Sequence, residues 1–146
     1  MSHRQFRHQR ALEREKRQLA NFEQIHRRLS TVADQAGILT AQLIAHVGGA
    51  PPFNMDALGE KVPIEELRML VDFYAPGLHP ETEQVVERFL ALGRSVAEAI
   101  VTQRRTDEWK ANTVVAATTA SVDVRKAADA AKEKLRGLVR SYTEDA

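Results

Sequence analysis

Between Ser2 and Val47 the apolar side chains recur at Leu12, Leu19, Phe22, Ile25, Leu29, Val32, Ala36, Leu39, Leu43 and Val47. The steps are threes, fours and one seven, which places them on one face of a helix. No proline interrupts this stretch, and Gly37 is its only glycine, so the pattern predicts one helix over about 2–47. At 1.5 Å per residue such a helix reaches roughly 70 Å, too long for a globular core unless it pairs with something equally long. The stripe is sparse before Leu19 and dense after it. The first turns therefore have little to bury and should be frayed or project into solvent.

Gly48-Gly49 followed by Pro51-Pro52 ends the helix, because glycine accepts the left-handed cap and proline forbids resumption. Residues 48–62 then form the one long irregular connection, with Phe53, Met55 and Leu58 expected to tuck back onto a helix end. A short helix is predicted over about 63–74, carrying Ile64, Leu67, Leu70, Val71 and Tyr74, and Ala75-Pro76-Gly77 ends it. A last helical region opens at Pro80 and runs to about 142. Its stripe passes through Val85, Val86, Phe89, Leu92, Val96, Ile100, Val114, Val115, Val122, Ala128, Leu135, Leu138 and Tyr142. One bent or continuous helix is the favoured reading of this region. The alternative is a break in which Arg104-Arg105 closes one helix and Thr106 caps the next, ahead of Asp107-Glu108.

No β pattern and no internal repeat is visible, so the chain reads as a single all-α domain over 1–146. Its long antiparallel helices are joined through a short intervening one, in a coiled-coil-like hairpin or bundle. Two long helices and a short one do not enclose a core, so completion by a second copy is expected. The small side chains from Ala111 to Val122 would suit a self-association seam.

Composition narrows the chemistry. The chain has no cysteine, which excludes disulfides, thiolate nucleophiles and cysteine-ligated metals. No apolar run approaches the ~20 residues of a membrane span. The basic N-terminus has no apolar segment behind it, so it is not read as a secretory signal, and a soluble, cytoplasmic protein is expected. Net charge is +1, yet it is segregated. Residues 1–30 hold eight basic against three acidic residues, residues 31–100 four against ten, and residues 101–146 nine against seven. A basic end and an acidic middle favour either contact between the two or a polyanionic partner.

The sharpest chemical pattern is Glu23-Gln24-Ile25-His26. A Glu-x-x-His step on a bundle helix is half of a carboxylate-bridged di-metal site, but the full site needs a second such step and two further glutamates. His46 and His79 have no glutamate three residues before them. His26, Ser30 and Asp34 share a helix face and are triad residue types, although four-residue neighbours on one helix mostly make local contacts. Glu65-Glu66 and the set Glu81, Glu83 and Glu87 sit at helix starts, where the helix dipole explains them better than acid–base chemistry does. No catalytic, cofactor or metal residue and no small-molecule substrate is therefore assigned, and the chain is not expected to be an enzyme. Trp109 is read as packing at the join in the last region, with a partner anchor as its rival role.

Arg7, Arg10, Arg14 and Arg17 step by three, four and three, so they line one face of the first helix. One reading is a solvated helix end whose arginines pair with Glu13 and Glu15. The others are an anionic membrane surface and a nucleic-acid backbone. The membrane reading outranks the nucleic-acid one because bundle packing does not account for this end and no helix-turn-helix or zinc-finger pattern is present. The functional expectation is a non-enzymatic helical interaction and oligomerisation module, extended in one version to the membrane-proximal cytoplasmic part of a larger protein at the inner face of a membrane. A nucleic-acid-associated protein is the alternative, and a carboxylate-bridged metal protein a distant third.

Overall fold

The computed structural model describes residues 2–50 and 62–144. Among these it is all-α: α1 (His3–Val47), α2 (Ile64–Tyr74), a 3-10 turn (Pro76–Leu78), α3 (His79–Val101) and α4 (Asp107–Glu144), with no strand. Phe53, Met55 and Leu58 lie outside the described residues.

Local chemistry sets the ends of these elements. Ser2 and Gln5 form a reciprocal capping box at the start of α1, Ser2 Oγ accepting from the Gln5 amide at 3.3 Å and Gln5 Oε1 from the Ser2 amide at 3.2 Å. This satisfies two donors that a helix start leaves orphaned. At the other end Gly49 takes φ +92°, which lets the Ala50 amide fold back onto the Ala45 carbonyl at 2.9 Å. A side chain at Gly49 would strain that turn. Pro76 opens the 3-10 turn and Pro80 sits in the first turn of α3, where a missing amide hydrogen costs nothing.

The favoured reading of one continuous helix after Pro80 is overturned. Residues 102–106 are not helical, and Thr106 Oγ1 accepts from the Trp109 amide at 3.1 Å as the cap of α4. Arg105, in this connection, reaches the C-terminal end of α1. It donates to the His46 carbonyl at 3.4 Å, faces His46 Nε2, and lies over the Trp109 ring with its guanidinium carbon 5.8 Å from the centroid. The His46 carbonyl also accepts from the Gly49 amide at 3.1 Å. A cation at a helix C-terminus is favourable, and here it also fixes where the chain reverses.

Because α3 and α4 fold back on each other, α4 packs against both α3 and α1, and α2 closes the side of α1 away from α4. The directions follow from named contacts. Gly37 lies against Arg125 and Phe22 meets Tyr142 edge-on at 5.9 Å, so α1 and α4 are antiparallel. Lys134 reaches Glu81, so α3 and α4 are antiparallel as well. The core gathers Ile25, Leu29, Val32 and Leu43 of α1, Leu67 and Val71 of α2, Leu78, Val85 and Leu92, and Val124 and Leu135 of α4, each nearly or fully excluded from solvent.

The break also resets the phase of α4. Val115 and Val122, placed in the stripe by a continuous periodicity, are exposed, while Ala117, Val124, Ala128, Ala131 and Leu135 are buried. Small side chains suit a helix held between two neighbours, because they let both axes approach. Ala117, Ala128 and Ala131 of α4 are therefore used within the chain. Core completion no longer supplies a motive for self-association, and any such motive must come from surfaces still exposed.

Candidate interaction site

One such surface is the N-terminal part of α1. Residues 2–14 are all exposed and 3–14 are helical, so twelve residues from His3, about 18 Å of helix, project past the body. Among the described residues the first hydrogen bond from α1 to another helix is at Gln18, whose Nε2 donates to the Tyr74 carbonyl at 2.9 Å. The helix thus leaves the body at the end of α2.

Arg7, Arg10, Arg14 and Arg17 are all exposed along this arm. Among the described residues none of them pairs with Glu13 or Glu15; the contact formed is Arg10 over the Phe6 ring, 4.8 Å from its centroid. Arg28, eleven residues or three turns beyond Arg17, shares their face, and it pairs with Glu66 of α2 at 2.8 Å. The arginine line is therefore the continuation of the side of α1 that α2 covers. Leu19, by contrast, lies on the side facing α4, and Leu12 is two turns before it.

α2 is itself two-faced. Leu67, Leu70 and Val71 are buried, whereas Glu65, Met69, Asp72 and Phe73 look outward at i, i+4, i+7 and i+8. Phe73 is 75% exposed and Met69 50%, an unusual outlay of large apolar surface on one short helix. Arg68 on the flank of α2 grips Glu83 of α3 through two bonds, 3.0 and 3.1 Å. Sequence reasoning singled out the arginines but missed this face. The signal lies in Met69 and Phe73, which fall outside the stripe of Ile64, Leu67, Leu70, Val71 and Tyr74 and stand beside acids; Tyr74, placed in that stripe, is itself 40% exposed.

Four of the five carboxylates weighed for acid–base work are engaged by cations, Glu65 among them at 3.4 Å from Arg68. Glu66 pairs with Arg28, Glu83 with Arg68, and Glu81 accepts from Lys134 Nζ at 2.8 and 3.0 Å. The Arg68 bonds hold Glu83 below the usual carboxylate range and the Lys134 bond does the same for Glu81. A carboxyl kept ionised in this way is a poor general acid. Glu23 pairs with Arg27 at 2.7 Å rather than with His26. Burial first, then Lys132 and Arg136, pushes the His26 imidazole below its usual value. No hydrogen bond joins His26, Ser30 and Asp34 among the described residues, and these residues hold no cluster of three metal-ligating side chains. Trp109 is half-buried against the core.

A concavity of about 410 Å³ lies between α1 and α4 near the root of the arm. Leu19, Phe22, Leu135 and Val139 form its floor, and Glu23, His26, Arg136 and Arg140 surround them. Its rim is mainly cationic. Among the described residues no helix is long and apolar enough to cross a membrane. No protein-family model, curated protein or solved structure matches the chain.

Proposed function

We propose that the chain is a non-enzymatic helical interaction and oligomerisation module whose contact element is the projecting N-terminal arm of α1. The observation that carries this reading is an arm that is helical, wholly exposed over residues 2–14 and lined by four arginines. A helix of this length gains little stability alone in water, and these turns bury nothing in the body. Charge held on a segment that does not pack is most simply explained by something outside the domain. The pairing of Glu66, Glu81 and Glu83 with cations supports a structural use of these acids rather than a catalytic one.

Deletion of residues 1–17 tests the reading. The expected result is an unchanged thermal midpoint together with loss of whatever association the full chain shows, whether with itself or with an anionic surface. Unfolding on deletion, or association that survives it, would overturn the proposal. Contact with an anionic membrane is the second reading, favoured by four aligned guanidiniums that lack acidic partners among the described residues. Each basic residue near such a surface contributes about 1 kcal/mol, so the arm would hold the chain there only weakly. Nucleic acid is the third, and a steep fall of binding with salt would mark it.

A further inference from the structure

We infer that the arm's partner is the outward face of α2 on a second copy of this chain, in a reciprocal pair. The inference rests on the arm being the contact element and names what it contacts. Three observations lead to it.

First, the basic arm does not meet the acidic helices of its own chain among the described residues. α1 is an unbroken helix from His3 to Val47, so it carries the arm straight away from its own α2, α3 and α4. The arm holds six basic residues between Arg4 and Arg17 against Glu13 and Glu15, while α2 holds Glu65, Glu66 and Asp72 against Arg68. Glu66 pairs with Arg28, Glu65 lies 3.4 Å from Arg68 and Asp72 3.3 Å from His79, yet all three carboxylates stay more than half exposed. Charge of opposite sign is thus displayed on two rigid surfaces that separate molecules can bring together.

Second, the chain already shows the contact in miniature. Arg28, on the same line as Arg7, Arg10, Arg14 and Arg17, pairs with Glu66 of α2. The line continues past the end of α2 with no ion pair on it among the described residues. An acidic helix like α2 is what that line accepts inside the body, and a second acidic helix of the same kind would continue the contact outside it.

Third, the surfaces match in kind and length. α2 has 11 residues, about 16 Å, against about 18 Å for the arm. Met69 and Phe73 give the contact an apolar centre flanked by Glu65 and Asp72, and a guanidinium can stack on the exposed Phe73 ring. The competing seat is the concavity between α1 and α4, but Arg136 and Arg140 on its rim repel a basic arm. α2 sits at the root of the arm, marked by the Gln18–Tyr74 bond. Two antiparallel copies crossing near this root would each place an arm beside the other's α2. That closes the assembly at two instead of leaving an open chain.

Sedimentation and light scattering of the full chain at 10–100 µM (on the order of the range for a weak dimer) supply the test. A dimer is expected at low salt, weakening by at least about tenfold in Kd between 50 and 500 mM salt as exposed charges are screened. Arm reversal (R7E, R10E, R14E and R17E together) and α2 reversal (E65K with D72K) should each abolish it. Mixing the two reversed proteins should restore a heterodimer through the arm of one and the α2 of the other. Circular dichroism checks that each variant stays folded, and M69S with F73S offers a second, uncharged route to the same loss. A monomer under all conditions would overturn the inference. If that monomer bound anionic vesicles or duplex DNA through residues 1–17, the arm would remain the contact element with a different partner. A dimer that survives both reversals would also overturn it.

Discussion

Lys134, ten residues before the end of α4, donates to both carboxylate oxygens of Glu81 in the first turn of α3, at 2.8 and 3.0 Å, although 53 residues separate them. In a continuous helix the same two residues would stand roughly 80 Å apart. The pair is partly exposed, with side-chain exposures of 41% and 29%, so it reports the reversal at Thr102–Thr106 more than it stabilises it.

The reversal can be measured directly, because the chain has no cysteine to compete with introduced labels. Gln84 of α3 and Ala130 of α4 line one shallow concavity. Spin labels placed on cysteines at these two positions should give distances below about 25 Å, against the roughly 70 Å of an unbroken helix. A dominant long-distance population would restore the continuous-helix reading and dismantle the α3–α4 pair.

A companion prediction concerns what holds the body together. Leu29 is fully buried where α1 meets its neighbours. Leu29→Ala should cost about 2–5 kcal/mol, the range for truncating a leucine in a well-packed core. Leu12, about four-tenths exposed on the arm, lacks those contacts, so Leu12→Ala should change stability by less than about 0.5 kcal/mol. Chemical denaturation of the two variants decides this. Equal losses would mean that the arm packs after all.

Much of this was legible in the sequence, and the failures have physical causes. The stripe from Phe22 to Val47 located α1 and its buried face, because a helix packed on one side keeps a single period. The exposure of the arm followed from the thinning of that stripe before Leu19. The break at Thr106 was written in Arg104, Arg105 and Thr106 but was ranked second, because no proline or glycine marks it. Choosing the unbroken helix then carried the periodicity through a change of phase, so Val115 and Val122 were placed inside and Ala117 and Val124 were missed. Alanine is a weak signal for burial, and a helix between two neighbours buries alanines. The outward face of α2 escapes the stripe for another reason: Met69 and Phe73 are off the apolar stripe, and a periodicity that locates the buried face says nothing of large apolar residues outside it, while Tyr74, on the stripe, is 40% exposed at the helix end.

The cap at the break carries its own prediction. Thr106 Oγ1 accepts from the Trp109 amide, and loss of such a cap costs about 1 kcal/mol. Thr106→Ala should therefore lower stability by that amount, while Thr106→Ser, which keeps the oxygen, should cost much less. If alanine and serine behave alike, the break is held by Arg105 and Trp109 instead of by the cap.

Acid stability should fall in two separable windows. His26 is pushed below the ordinary histidine value by burial, with Lys132 and Arg136 adding to it. The unfolded chain therefore takes up this proton at a higher pH than the folded one. The stabilisation from a neutral His26 is complete above about pH 6.5 and drains away as pH falls from there through the lower folded value. Glu83, held down by Arg68, and Glu81, held down by Lys134, act in a lower window. Their contribution is complete above the ordinary carboxylate value of about 4.3 and is lost as pH falls through the depressed folded values. Thermal midpoints of the wild type, His26→Gln and Glu83→Gln across this range distinguish the two. Gln at position 26 cannot charge, so its curve should be flatter than wild type just below pH 6.5 and parallel to it further down. Gln at position 83 should start about 0.2–1 kcal/mol less stable at neutral pH, the usual worth of a pair this exposed, and should flatten only in the lower window. Were the His26 variant to track the wild type throughout, the imidazole would be titrating freely in solvent, and Lys132 and Arg136 would not be acting on it.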